Sequence, residues 1–154
     1  MRKIQKNALS CYHLFMFSLF LFLVLLSVLV TIHELGHFVA ARLLGVKVEE
    51  FGFGFPPRLM GFVKIKGKWK MVGANDQTKR TNTIWSVNWL PLGGFVRLKG
   101  EQESPNVDEP DTFAAQKPWK RLVILLAGVC MNWCLADGAC RRLRVTLEWR
   151  LLWR

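Results

Sequence analysis

Hydrophobic residues dominate the first third of the chain. Between Leu14 and Ile32 there is no charged side chain, and the few polar positions are Ser18, Ser27 and Thr31. A helix needs about 20 such residues to cross a hydrocarbon core of about 30 Å. The pattern predicts one membrane-spanning helix over residues 8–44, ended by Gly45.

A cleaved signal peptide is the alternative interpretation of this run. The start MRKIQKN is typical of a basic n-region. An h-region, however, is about 7–15 residues long and ends at a small-x-small site. The run here is longer and continues into a helix-compatible segment, HELGHFVAARLLG. Its length therefore favours a membrane helix.

The pattern changes to strand-like alternation over residues 46–118, which we predict to be a β-rich loop on the cytoplasmic side. The segment VKVEEFGFGF is expected to end at the two prolines that follow it, while FVKIKGKWKMVG alternates apolar and basic residues around a turn at Gly67. Two short strands are expected around the P-L-G-G turn of TIWSVNWLPLGGFVRLKG. An acidic surface loop, EQESPNVDEPDT, follows.

A second apolar segment begins after Pro118, a residue that suits a helix start. Residues 119–135 are predicted to form part of a second transmembrane helix, in which Asn132 is the polar exception. Residues 136–154 continue neither the membrane pattern nor a repeat. They are interpreted as a divergent basic tail, and a truncated or frame-shifted product is one explanation for it.

Charge and cysteine content restrict the class of protein further. The net charge is +11, from 22 Lys and Arg residues against 11 Asp and Glu. The excess favours the positive-inside bias of membrane proteins over nucleic-acid or anionic-lipid binding, and no basic-aromatic nucleic-acid module is visible. The four cysteines contain no C-x-x-C pair, so neither a disulfide framework nor a structural zinc cluster is expected.

Three ionisable residues close the first apolar run: His33, Glu34 and His37, in the arrangement H-E-x-x-H. Positions i and i+4 share one helix face, so the two imidazoles are placed to hold one zinc ion. Glu34 lies beside that face as the general base for a zinc-activated water. Ionisable groups at membrane depth are functional by default, which favours metal binding over a solvated helix face.

The chain resembles the site-2 protease family of intramembrane zinc metalloproteases, peptidase family M50, in the branch of the bacterial regulator-of-sigma-E proteases. Three segments carry the resemblance: TIHELGHFVAARLLGVKVEEFGFGF, PLGGFVRLKGE and PWKRLVILLAGVCMN. They match the N-terminal portion of the family. The resemblance implies an α-helical membrane protein with H-E-x-x-H on a first transmembrane helix, a membrane-associated β-hairpin region, and the start of a second transmembrane helix.

The resemblance also implies roles for single residues. His33 and His37 match the zinc-ligand histidines, and Glu34 matches the catalytic glutamate. Gly93 and Gly94 match the P-L-G-G turn of a hairpin region that helps to present an extended substrate.

On the second helix, Asn132 matches the asparagine of the family's A-G-P-x-x-N pattern, and we place it with the substrate-binding positions. Val129 stands where the family has proline, so a straighter helix is expected here.

The third zinc ligand is the main departure from the family pattern. In the family it is an aspartate in an L-D-G motif on a later membrane helix, beyond PDZ domains, and this sequence contains neither. Asp137 lies in LADG, where an extra alanine spoils the match. In an antiparallel second helix, Asn132 is level with His33, about 16 Å along the helix, and Asp137 lies past both at about 24 Å. Glu49, Glu50 or a second subunit stay open as the source of the ligand.

Two functions follow from these expectations. The first is a zinc-dependent intramembrane endopeptidase that cuts single-pass membrane proteins, within a multi-pass protein of the bacterial inner membrane. The second is an inactive fragment or pseudoprotease that lacks the third zinc ligand and the PDZ domains. A soluble zinc protease with a buried apolar run is a third interpretation. The expected partners are the lipid bilayer and the membrane-anchored substrate, and no feature specifies an oligomeric state.

Overall fold

The structure is a computed structural model that describes residues 2–74, 82–101 and 109–152, with side chains described between residues 12 and 142 of these ranges. It contains two long helices and one antiparallel sheet. In chain order the elements are α1 (Arg2–Leu43), β1 (Val48–Ile65), β2 (Lys68–Val72), β3 (Ile84–Leu98) and α2 (Pro118–Leu152). The predicted order of helix, β-rich segment and helix is confirmed.

Helix α1 is apolar on all sides along most of its length. Its segment Tyr12–Leu43 and the segment Pro118–Arg142 of α2 are long and apolar enough to cross a membrane. Large side chains of α1 are exposed, Phe15 and Phe20 both at 64%. A helix that leaves so much apolar surface uncovered is suited to an apolar solvent, as expected of a helix that faces lipid.

Helices α1 and α2 pack antiparallel, with the start of α2 beside the end of α1. The Nζ atom of Lys120 donates a hydrogen bond to the carbonyl of Leu44 (3.1 Å), which satisfies a carbonyl that a helix end leaves without an intrahelical partner. Deeper along the pair, Gly36 lies against the backbone of Ala127, where an added Cβ would overlap the carbonyl group. Small residues at such a crossing permit close approach of two membrane helices.

Helix α2 is longer than the sequence predicted. It does not stop at Leu135 but continues through residues 136–142 to Leu152, so in the described residues the expected tail is helical. Alanine and arginine are strong helix formers, and Arg141 donates to the carboxylate of Asp137 (2.8 Å) one turn earlier. The part of α2 suited to a membrane crossing therefore has 25 residues, not a partial span.

The sheet consists of two bent strands and one short strand, in the order β2-β1-β3. The first arm of β1 pairs with both arms of β3, because Phe51 faces Val96 on one side and Trp85 on the other. The second arm of β1 returns along β3, where Phe62 also faces Trp85. The first arm of β3 is thus held between the two arms of β1.

The bends differ from the strand ends that the sequence predicted. Strand β1 continues through Pro56 and Pro57, and the two short strands expected around the P-L-G-G turn are arms of one bent strand, β3. Gly54 (φ 81°) and Gly93 (φ 73°) adopt at these bends a backbone conformation that other residues resist. The hairpin turn expected at Gly67 is confirmed, since it joins β1 to β2.

The bend of β3 contacts α1 within the apolar part of the helix. The Ser27 hydroxyl accepts a hydrogen bond from the Gly93 amide (2.8 Å) and donates one to the Pro91 carbonyl (3.3 Å). One turn later, Thr31 lies against Gly94. Backbone polar groups at membrane depth must find partners within the protein, and Ser27 supplies them here.

A core cluster joins the end of α1, the sheet and the start of α2. Its buried apolar residues are Phe38, Ala41, Val46, Val48, Phe51, Leu98 and Ile124. The rings of Phe38, Phe51 and Trp85 pack together, with centroids 5.4, 5.3 and 5.2 Å apart. Full burial of a side chain of this size contributes about 1.5–3 kcal/mol, so this cluster fixes the sheet against both helices.

An ion cluster holds the loop before α2 to the end of β3. The Nζ atom of Lys99 donates to the Asp111 carboxylate (2.7 Å) and also contacts Glu109. The hydrogen bond from Lys99 lowers the pKa of Asp111, and the bonds to Asp111 and Glu109 raise the pKa of Lys99. The Phe113 amide also donates to the Lys99 carbonyl (2.7 Å). These contacts direct the chain into α2 beside α1.

The Ser27 contact predicts a specific loss of stability. In Ser27→Ala the buried Gly93 amide loses its acceptor, so the free energy of unfolding in mixed detergent micelles should fall by about 1–3 kcal/mol. Amide hydrogen exchange at Gly93 should accelerate in parallel. Ser18→Ala, at an exposed position of the same helix, is the matched control. An equal effect of the two substitutions would show that the Ser27 hydrogen bonds do not hold the bend.

Candidate metal centre

His33, Glu34 and His37 lie on α1, about 9–15 Å before its end. The two imidazoles project from the same face one turn apart, with ring centroids 4.8 Å apart and planes at 78°. Donor atoms of the two histidines and Glu34 all lie within 4.8 Å of one another. The helical spacing seen in the sequence therefore brings the three side chains into one group.

The opposite side of this group is formed by one face of α2, at three positions four residues apart: Ile124, Gly128 and Asn132. The Ile124 carbonyl lies 2.8 Å from Nδ1 of His37. The Asn132 amide lies 3.4 Å from Nδ1 of His33, which places Asn132 level with His33. A Cβ added to Gly128 would lie 2.6 Å from Nε2 of both histidines.

The contact with Ile124 fixes the hydrogen on one imidazole. A backbone carbonyl only accepts hydrogen bonds, so Nδ1 of His37 carries the hydrogen and Nε2 keeps its lone pair. Such a bond to the far nitrogen is the usual way in which proteins orient a metal-binding histidine.

Gly128 lets the two Nε2 atoms pack closely against the backbone of α2. Any side chain at this position would overlap Nε2 of both His33 and His37. Two imidazole nitrogens and a carboxylate are a donor set that zinc favours. The group of residues therefore fits a zinc ion.

Glu34 faces the sheet as well as the histidines. Its carboxylate lies near the Val96 backbone in the second arm of β3. Gly93 and Gly94, the glycines of the predicted P-L-G-G turn, lie at the start of this arm. A Cβ added to Gly93 would lie 2.8 Å from Cγ1 of Val30 on α1. The P-L-G-G turn is thus packed on α1 within about one helical turn of the metal-binding group.

The structure places the other proposed sources of a third ligand elsewhere. The Glu50 carboxylate is buried in an ion pair, where it accepts a hydrogen bond from Nε of Arg58 (2.9 Å). Glu49 is exposed on β1, and Asp137 accepts its bond from Arg141. Within the described residues, His33, Glu34 and His37 form the one group of three metal-binding side chains.

Two contributors to the centre were not predicted: the Ile124 carbonyl and Gly128. A backbone carbonyl leaves no signal in a sequence. Gly128 sits in an apolar run, where glycine is ordinary in a membrane helix. Its spacing of four residues from Asn132 is the signal that could have revealed it, once α2 was placed antiparallel to α1.

Two helices of membrane length that enclose a His-Glu-His group define a membrane protein with a metal centre of the zinc metalloprotease type. The family model for peptidase family M50 matches residues 21–74 and 76–139, and the chain belongs to this family. The match continues past Leu135, so it includes part of the segment that was interpreted as a divergent tail.

Curated relatives agree with the family assignment. A Clostridium acetobutylicum protein named as a zinc metalloprotease is 39% identical over 120 residues, which cover 78% of this chain and 30% of the relative. A Thermotoga maritima protein of the same name is 34% identical over 131 residues, 83% of this chain and 23% of the relative. One from Campylobacter jejuni is 40% identical over 115 residues, 72% of this chain and 27% of the relative. The chain thus spans less than a third of each relative.

The close contact of Nε2 of His33 and His37 with Gly128 predicts that a methyl group at this position lowers zinc affinity. In Gly128→Ala the new Cβ would collide with Nε2 of both His33 and His37, so zinc affinity should fall by at least about tenfold, as when the orientation of a ligand is disturbed. The measurement is competition with a chromophoric chelator in detergent micelles. Helix content, followed by circular dichroism, should change little.

Gly138→Ala is the matched control, because a Cβ at Gly138 has nothing within 4 Å. It adds the same methyl group to the same helix and should leave zinc affinity unchanged. Unchanged affinity in Gly128→Ala would contradict the placement of the metal beside Gly128.

Proposed function

We propose that this chain carries the metal-binding part of a zinc-dependent intramembrane endopeptidase that cuts single-pass membrane proteins. The observation that supports it most directly is the meeting of the two Nε2 atoms at Gly128, with the Glu34 carboxylate beside them. Membership of peptidase family M50 and the names of the relatives support the same chemistry.

In this proposal each residue of the group has one task. His33 and His37 hold the ion through Nε2. Zinc, when bound, supplies Lewis acidity toward the scissile carbonyl and toward a water molecule. Glu34 takes the proton of the attacking water on its carboxylate and passes it to the nitrogen of the leaving amine, which completes hydrolysis of the peptide bond.

The sheet has a second task, presentation of the substrate. A substrate helix must unwind before hydrolysis, because its backbone groups are hydrogen-bonded within the helix. The second arm of β3 pairs with β1 on one side in the described residues and passes Glu34 at Val96 on the other. We infer that an unwound segment is held in extended form along this arm, near the carboxylate that serves as the base.

The proposed location is the bacterial inner membrane, in a protein with several membrane crossings. Two helices of the described chain are suited to crossing a membrane. The metal-binding group lies about 9–15 Å from the end of α1, which in this proposal is below the hydrocarbon surface on the side of the sheet. Cleavage is therefore expected within the membrane, near the face from which the sheet enters.

A second candidate is a zinc-binding but inactive form of the same site. A catalytic zinc site normally has three protein ligands and a water. The described residues offer two histidines and Glu34, and the general base cannot also serve as a permanent ligand without losing its task. The two candidates agree on zinc binding and differ on hydrolysis.

A single substitution separates binding from catalysis. Glu34→Gln keeps the size and shape of the side chain but removes the base, so cleavage should fall by about 10²–10⁴-fold. Zinc content should stay close to that of the wild-type chain. The assay uses purified, zinc-loaded chain with a single-pass reporter protein in the same micelles, and product is identified by mass spectrometry.

His33→Ala is the companion variant, since it should lose zinc and cleavage together. Equal product from the wild type and Glu34→Gln would overturn the proposed role of Glu34. A wild-type chain that binds zinc fully and yields no product would support the inactive candidate instead.

A further inference from the structure

Asn132 has an unpaired oxygen beside a metal-binding histidine. Among the described residues, its Oδ1 atom is buried and has no hydrogen-bond partner, while its Nδ2 atom lies 3.4 Å from Nδ1 of His33. A buried polar atom without a partner is costly, and in a native protein it requires an explanation.

The hydrogen on His33 supplies that explanation. Nδ1 of His33 faces Asn132, and Nε2 lies beside Gly128 together with Nε2 of His37, so Nε2 is the nitrogen left to bind zinc. A neutral imidazole with a free lone pair on Nε2 carries its hydrogen on Nδ1. The Nδ1–H group of His33 then needs an acceptor, and an amide NH₂ is a donor.

Rotation of the Asn132 amide by a half turn gives Oδ1 a donor and removes the donor–donor contact, and it moves the NH₂ group to the position that Oδ1 held. The oxygen and nitrogen of an amide occupy nearly equivalent positions, and their assignment follows from the hydrogen-bond network. We propose that Asn132 is a positioning residue of the zinc centre, whose Oδ1 accepts a hydrogen bond from Nδ1–H of His33 and thereby fixes Nε2 toward the ion. The rotated oxygen gains the partner that it lacks.

The same face of α2 also offers a hydrogen-bond acceptor to Nδ1 of the other histidine, His37. The Ile124 carbonyl accepts from Nδ1 of His37, and Asn132 lies two turns further along the helix beside Nδ1 of His33. Gly128, midway between them, receives both Nε2 atoms. One helix therefore orients both imidazoles through their outer nitrogens, an arrangement that typically changes metal affinity by about 10–100-fold when it is broken.

This inference replaces the substrate contact that the family resemblance suggested for Asn132. It rests on the zinc site of the proposed function, although not on proteolysis. The side chain touches His33 rather than the substrate, so its effect must be visible in metal binding without any substrate present.

Two substitutions of similar size test whether Oδ1 of Asn132 accepts the hydrogen bond from Nδ1–H of His33. Asn132→Leu removes it, and zinc affinity, measured by chelator competition, should fall by about 10–100-fold. Asn132→Asp keeps an acceptor oxygen toward Nδ1, so affinity should equal or exceed that of the wild type. In the zinc-loaded wild-type chain, ¹⁵N NMR of the imidazoles should show His33 bound through Nε2, with its hydrogen on Nδ1.

The outcomes are distinct. Unchanged affinity in Asn132→Leu, equal loss in both variants, or zinc bound through Nδ1 of His33 would each overturn the positioning role while leaving the zinc site intact. Absence of zinc binding by the wild-type chain would overturn the proposed function as well. If Asn132→Leu does not fold, the wild-type NMR signals and Asn132→Asp still decide the question.

Discussion

The metal centre depends on the close contact between α2 and the imidazoles of α1 at Gly128. Helical spacing alone puts His33 and His37 on one face, but it leaves both rings free to rotate. The second helix removes that freedom, because it offers a carbonyl to one ring, an amide to the other and a glycine that both rings contact between them. The site is therefore a property of the helix pair, and residues that bring the pair together, such as Gly36, belong to its architecture.

Isolated polar residues in the apolar runs mark where elements meet. Ser27 binds the bend of β3, and Asn132 lies against His33. Where no water is available, a polar group is stable only beside another polar group of the protein. Each lone serine or asparagine with a distant partner therefore fixes the position of one element on another. By contrast, Phe15 and Phe20 lie on an exposed apolar surface of α1, where no other element of the described chain is packed.

Much of this arrangement could be predicted from the sequence, and the failures have physical causes. The position of α1 follows from the length of its apolar run. That Asn132 and His33 lie at the same depth follows from the rise per residue of two antiparallel helices. The prolines after Phe55 were expected to end a strand, but β1 bends there and keeps its pairing, because the partner strand β3 bends with it. Sequence rules for strand ends consider one strand at a time. They therefore cannot predict that two paired strands bend together.

The end of α2 and the role of Gly128 were missed for related reasons. Arginine after Leu135 interrupts the hydrophobic pattern without interrupting helix propensity, so a rule based on hydropathy ends the helix too early. Gly128 carries no chemistry of its own, and its importance arises from the two nitrogens that the other helix brings to it.

The proposed function also assigns an order to the events of hydrolysis. Helix α2 covers the metal-binding group at Gly128, and the second arm of β3 lies beside Glu34 at Val96. In the proposed function, a peptide held along this arm lies beside Glu34, the proposed base. Binding in extended form and approach to the metal are then one movement, since the strand that holds the peptide is itself fixed to α1 by Ser27. A sheet that reaches into the apolar region offers hydrogen-bond partners to an extended backbone where no water is available.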